Sequence, residues 1–62
     1  MKLEFDPTAD AAYFEISPAE IEKTKEIEPG IIVDYDKEGH VIGIEVLSVS
    51  KRNLSESLSK AA

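Results

Sequence analysis

The chain has 62 residues, 13 acidic against 7 basic, a net charge of −6 and a hydrophobic fraction of 42%. That length holds one domain, residues 1–62, and the composition is too apolar for a disordered segment. The charge disfavours direct contact with nucleic acid and favours a basic protein partner.

There is no cysteine, so neither a disulfide nor a thiolate metal site can form. No apolar run approaches the ~20 residues that span a bilayer. Met1-Lys2-Leu3-Glu4-Phe5-Asp6 lacks the apolar stretch of a signal peptide. The expectation is a cytoplasmic chain with no membrane association.

Turn signals arrive at short intervals, as they do in a meander of short strands. They are Asp6-Pro7, Ser17-Pro18, Pro29-Gly30 and Asp36-Lys37-Glu38-Gly39. Pro29-Gly30 suits the central positions of a type II turn, and Gly39 suits the left-handed position of a tight hairpin. Between the turns, apolar residues alternate. Leu3 and Phe5 share a face of the first strand, and Ala12, Phe14 and Ile16 a face of the second. Ile21 to Glu28 is mostly charged and reads as an edge strand, whose lysines oppose edge-to-edge aggregation. Ile31, Val33 and Tyr35 line the fourth strand, and Ile42, Ile44 and Val46 the fifth. Gly43 within that strand points to a bulge or to close approach of another backbone or ring. Tyr13, Ile32, Val41 and Leu47 would stand on the opposite face, which implies an apolar cover there.

From Ser50 the period changes. Leu54 and Leu58 are four apart, Asn53 and Glu56 resemble a capping box, and Ser50 is a rival N-cap. The expected fold is α+β: a small antiparallel meander of four or five strands over 1–49 and a short helix over about 50–60. A helix of two turns needs packing to persist.

Few residues suggest chemistry. Asp34, Asp36, Glu38, Gly39 and Glu45 match calcium-loop spacing. Flanking strands instead of helices argue for turn chemistry. His40, the one histidine, cannot form a histidine cluster. Asp6 and Asp10 flank Pro7-Thr8-Ala9, where carboxylates commonly bond their own backbone. There is no glycine-rich phosphate loop, and a sheet this small leaves little room for a ligand pocket. The reading is a non-enzyme without a cofactor.

Three segments together carry a resemblance: Phe5-Asp6-Pro7-Thr8-Ala9-Asp10-Ala11-Ala12-Tyr13, then Glu28-Pro29-Gly30-Ile31-Ile32-Val33-Asp34-Tyr35-Asp36, then Gly39-His40-Val41-Ile42-Gly43-Ile44-Glu45-Val46-Leu47. With them the chain resembles the domain-of-unknown-function 2283 family of small prokaryotic proteins. Ala12 departs from the family pattern, where a larger aliphatic is expected. The resemblance implies a compact antiparallel sheet, a prokaryotic cytoplasmic source and an antitoxin-like setting beside small toxin-like genes. It supplies no activity and no catalytic residue.

Three functional expectations follow. The first is an acidic protein-interaction module, antitoxin-like or self-associating, acting through Tyr13, Val41, Leu47, Leu54 and Leu58. The second is metal or ligand binding by Asp34, Asp36, Glu38 and Glu45. The third is a structural unit that packs on copies of itself, a dimer by default.

Overall fold

The computed structural model describes residues 1–52. Its strands are β1 (Lys2–Asp6), β2 (Ala11–Glu15), β3 (Lys23–Glu28), β4 (Ile31–Tyr35) and β5 (Val41–Val46). They form one antiparallel sheet in the order β1-β2-β5-β4-β3.

This order departs from a simple meander, which would set β3 beside β2. The reason lies in composition. A central strand needs apolar neighbours on both sides. Val41-Ile42-Gly43-Ile44-Glu45-Val46 supplies them, whereas Lys23-Thr24-Lys25-Glu26-Ile27-Glu28 does not. The chain therefore carries β3 past the β4–β5 hairpin to the outer edge. All six β3 residues are exposed there.

The turns follow their sequence. Gly30 and Gly39 take φ of 83° and 85°, which other residues rarely adopt. Asp36 Oδ1 accepts hydrogen bonds from the backbone N–H of Glu38 and of His40, both at 2.9 Å, and so closes the β4–β5 hairpin. Asp6 Oδ1 accepts from Thr8 and Ala9 N–H in the β1–β2 connection.

The expected helix over about 50–60 is not confirmed. Among the described residues, only a single 3-10 turn, Val49–Lys51, follows β5. The rest of the expected helix, with Asn53 and Glu56, lies outside the described residues. Asp10 holds the 3-10 turn in place. Its backbone carbonyl accepts from Val49 N–H at 3.0 Å, and its carboxylate accepts from Ser50 Oγ at 2.7 Å and Ser50 N–H at 3.1 Å. Ser50 is thereby tied to the β1–β2 connection. Arg52 adds a second tie, donating from Nε to Leu47 O at 2.8 Å and from Nη2 to Pro29 O. Leu54 and Leu58 lie outside the described residues.

The core is thin. Ala11, Val33 and Ile42 are its buried apolar residues, and no described large side chain is fully enclosed. The described structure is one layer of sheet, whereas stable domains generally bury a sheet face against a second layer.

Candidate interaction surface

Cross-strand register assigns every strand residue to a face, because paired residues project on the same side. One row across the sheet is Leu3–Phe14–Ile44–Val33–Lys25. The next is Phe5–Ala12–Val46–Ile31–Glu28. This face is apolar from β1 to β4 and charged only at the β3 border.

The opposite rows are Lys2–Glu15–Gly43–Asp34–Thr24 and Glu4–Tyr13–Glu45–Ile32–Glu26, with Asp6 opposite Ala11. The strands' acidic side chains are thus segregated. Glu4, Asp6, Glu15, Glu26, Asp34 and Glu45 share one face with Lys2, while Glu28 shares the other with Lys23 and Lys25. The apolar face is left almost uncharged.

Burial grades across the apolar face. Val33 is 4% exposed, whereas Leu3 and Phe5 at the β1 edge are 69% and 57% exposed. Val41 belongs to this side. The register shifts between Asp34 and Tyr35, so Ile42 has no β4 partner and Val41 pairs with Tyr35. Tyr35 shares the face of Val33, and the shift brings Val41 with it. This corrects the expectation of Val41 on the opposite side. Val41 is 40% exposed.

The carboxylate face is held together by Asp34, only 9% exposed. Tyr13 Oη donates to Asp34 Oδ2 at 3.0 Å, and Thr24 Oγ1 donates to Oδ1 at 2.7 Å. Both carboxylate oxygens are engaged, as burial of a charge requires. Tyr13 reaches Asp34 by crossing β5 at Gly43. A methyl group there would overlap the Tyr13 hydroxyl and lie 3.2 Å from Asp34 Oδ2. The close ring approach expected at Gly43 is the phenol of Tyr13. Over these strands the face carries a hydrogen-bonded bridge, and the C-terminal segment with Leu54 and Leu58, expected to cover it, lies outside the described residues.

That bridge also shapes protonation. Burial, then the hydrogen bond to Asp34 and its negative charge, push the Tyr13 phenol above its ordinary value of 10.0. In the hairpin, the His40 N–H is the main influence holding Asp36 below its ordinary 3.8, helped by Glu38 N–H and the His40 side chain.

The other expected site residues are dispersed. Asp34 serves the bridge, Asp36 the hairpin, and Glu45 stands between Tyr13 and Ile32. Glu38 is exposed at the turn, with its carboxylate 3.8 Å from His40 Nδ1. Among the described residues there is no group of three or more His, Cys, Asp or Glu side chains that could hold a metal ion. Leu47 lies against Gly30, donating its N–H to Gly30 O at 2.8 Å. Leu3 and Phe5, the most exposed apolar pair within the strands, do not stand out as interaction residues in the sequence. Their signal was the edge position of β1, which alternation alone does not reveal.

No helix of the described residues is long and apolar enough to cross a membrane. No curated protein and no solved structure matches the chain. Residues 2–50, spanning every strand and both glycine turns, match the model of the family described as "Protein of unknown function (DUF2283)", and the chain belongs to that family.

Proposed function

We propose that this domain is a self-associating protein-interaction module, its apolar sheet face closing against the same face of a second copy. The observation that carries this reading is the exposed face of a one-layer sheet, in which no described large side chain is fully enclosed. Covering an exposed Leu or Phe is worth about 1.5–3 kcal/mol. A second copy offers a matching surface without new chemistry, and two-fold pairing is the commonest form of assembly.

Charge supports the same occupant. Two copies with a net charge of −6 repel unless their carboxylates point apart. Stacking the apolar faces does that, because the carboxylate rows then lie on the two outer surfaces. Five strands about 4.8 Å apart and about 17 Å long give a flat footprint near 400 Å2. Two such faces bury about 800 Å2 in total, below the roughly 1,200 Å2 of stable interfaces, so the contact is a weak one that forms at high concentration.

The outer surfaces would remain free to attract a basic protein, the antitoxin-like version of the same module. Sedimentation equilibrium on the pure chain tests self-association. The expected mass is a multiple of the 6.8 kDa chain, persisting in high salt. A folded monomer at millimolar concentration would refute the reading. A complex seen only with an added basic protein, and lost as salt rises, would move the interface to the carboxylate face.

A further inference from the structure

The two edges of the sheet are built differently. β3 is blunted by Lys23 and Lys25 and by a register shift at Ile27, devices that keep edge strands from pairing. β1 has no register shift and one lysine, Lys2, and its charges Lys2, Glu4 and Asp6 all stand on one face. Its register with β2 is regular from Lys2 to Asp6, and all five of its residues are exposed. Among the described residues, nothing pairs with its outer side.

The backbone groups on that outer side can be identified by alternation along the ladder. Ile16 N–H bonds to Ile42 O, so Ile16, Phe14 and Ala12 direct their backbone groups to β5. Glu15, Tyr13 and Ala11 therefore serve β1, through Lys2, Glu4 and Asp6. Two bonds check the phase further along the sheet: Leu47 N–H to Gly30 O, and Glu22 N–H to Tyr35 O. The N–H and C=O groups of Leu3 and Phe5 are left pointing outward.

We propose that β1 pairs antiparallel with β1 of a second copy, about a two-fold axis passing between the two Glu4 residues. The sequence of the strand is self-complementary in that register. Leu3 of each copy faces Phe5 of the other, and each such pair exchanges both its backbone hydrogen bonds. Lys2 faces the opposite copy's Asp6. The like-charged Glu4 pair opposes the contact. The diagonal Asp6 of the other strand adds to that repulsion, and it is partly offset by Lys2 Nζ, 2.9 Å from Glu4 of its own strand, and by the diagonal Lys2 of the other strand.

The axis stands perpendicular to the sheet, so the two sheets become one and both apolar faces lie on the same side. Leu3 and Phe5 then change from an exposed rim to the middle of that face. The inference is separate from face-to-face stacking, which leaves β1 edges unpaired and holds the Glu4 side chains on the outer surfaces.

Cross-linking reads the register directly. In the proposed pairing, Glu4 and its counterpart form a pair without mutual hydrogen bonds, with Cα atoms about 4.5 Å apart, inside the range a disulfide needs. The chain has no cysteine of its own. Glu4→Cys is expected to give a disulfide-linked dimer at least about tenfold faster than Lys37→Cys, an exposed turn position, because only the former pair is held within bonding reach. Adding Leu3→Pro, which removes an outward N–H and spares the bonds to β2, should return the rate to the control value. Glu4→Gln, which keeps size and removes like charge, should strengthen association. The inference is overturned if Glu4→Cys cross-links no faster than Lys37→Cys, or if Leu3→Pro leaves a fast rate unchanged in a chain that remains folded by circular dichroism. Face stacking cannot produce the Glu4 cross-link, so the two contacts fail independently.

Discussion

Tyr13 donates to Asp34 at 3.0 Å although β5 runs between their strands. The bond exists because the residue beneath it is Gly43, which leaves the phenol room to lie across the strand. One glycine thus joins the β1–β2 hairpin to the β3–β4–β5 unit by a side-chain bridge as well as by the β2–β5 ladder.

Gly43→Ala should therefore act through Tyr13. The methyl group displaces the ring and breaks the bond to Asp34, with an expected cost of about 1–3 kcal/mol in chemical denaturation. Tyr13→Phe loses the same bond. The double variant should be less destabilised than the sum of the single variants, because both remove one interaction. Strict additivity would mean that Gly43 matters for another reason.

The bridge also sets a pH limit. The Tyr13 phenol titrates above 10.0 in the folded chain and near 10 when unfolded. Its contribution to stability is complete below that value and is lost as pH rises through the folded-state value. Ultraviolet titration should show one tyrosine ionising late. Asp34→Asn should reduce that delay without abolishing it, because burial is the larger cause.

Asp36 gives the opposite sign. Its folded-state value lies below 3.8, so its contribution is present above that pH and is lost as pH falls through the folded value. Asp36→Ala should weaken the hairpin at neutral pH and flatten the acid limb of the stability profile. An unchanged acid limb in the variant would show that other carboxylates govern it.

Asp10 holds a left-handed backbone with φ of 52° and anchors Ser50, forty positions away. Asp10→Ala loses the acceptor and strains the turn, at an expected cost of about 1–2 kcal/mol. Asp10→Asn should cost less than half as much, since asparagine tolerates that backbone and retains one acceptor oxygen. Equal losses in the two variants would show that the charge, rather than the bond and the backbone, matters.

Much of this was legible in the sequence. The alternation of Ile31, Val33, Ile44 and Val46 marked one apolar face, and Gly30 and Gly39 marked their turns. Strand order was less legible, because hairpins are local whereas the choice of β5 over β3 as the neighbour of β2 depends on competition for the centre of the sheet. Alternation alone puts Val41 on the wrong face, because a one-residue shift reverses a side chain's face without altering the local pattern. The carboxylate spacing from Asp34 to Glu45 resembled a cation loop, yet cross-strand pairing sends those residues to separate tasks. The role of Asp34 had a trace in its position, a charge in the middle of an apolar strand. Its partners, Tyr13 and Thr24, come from strands far away in sequence.

Face-to-face pairing would bury the apolar rows of both copies against each other. The most direct measurement is an isotope-filtered nuclear Overhauser experiment on an equimolar mixture of labelled and unlabelled chains. Face-to-face pairing predicts intermolecular contacts joining Phe14 and Ile44 of one copy to Val33 and Val46 of the other. A folded monomer, or intermolecular contacts that leave these side chains untouched, would contradict it.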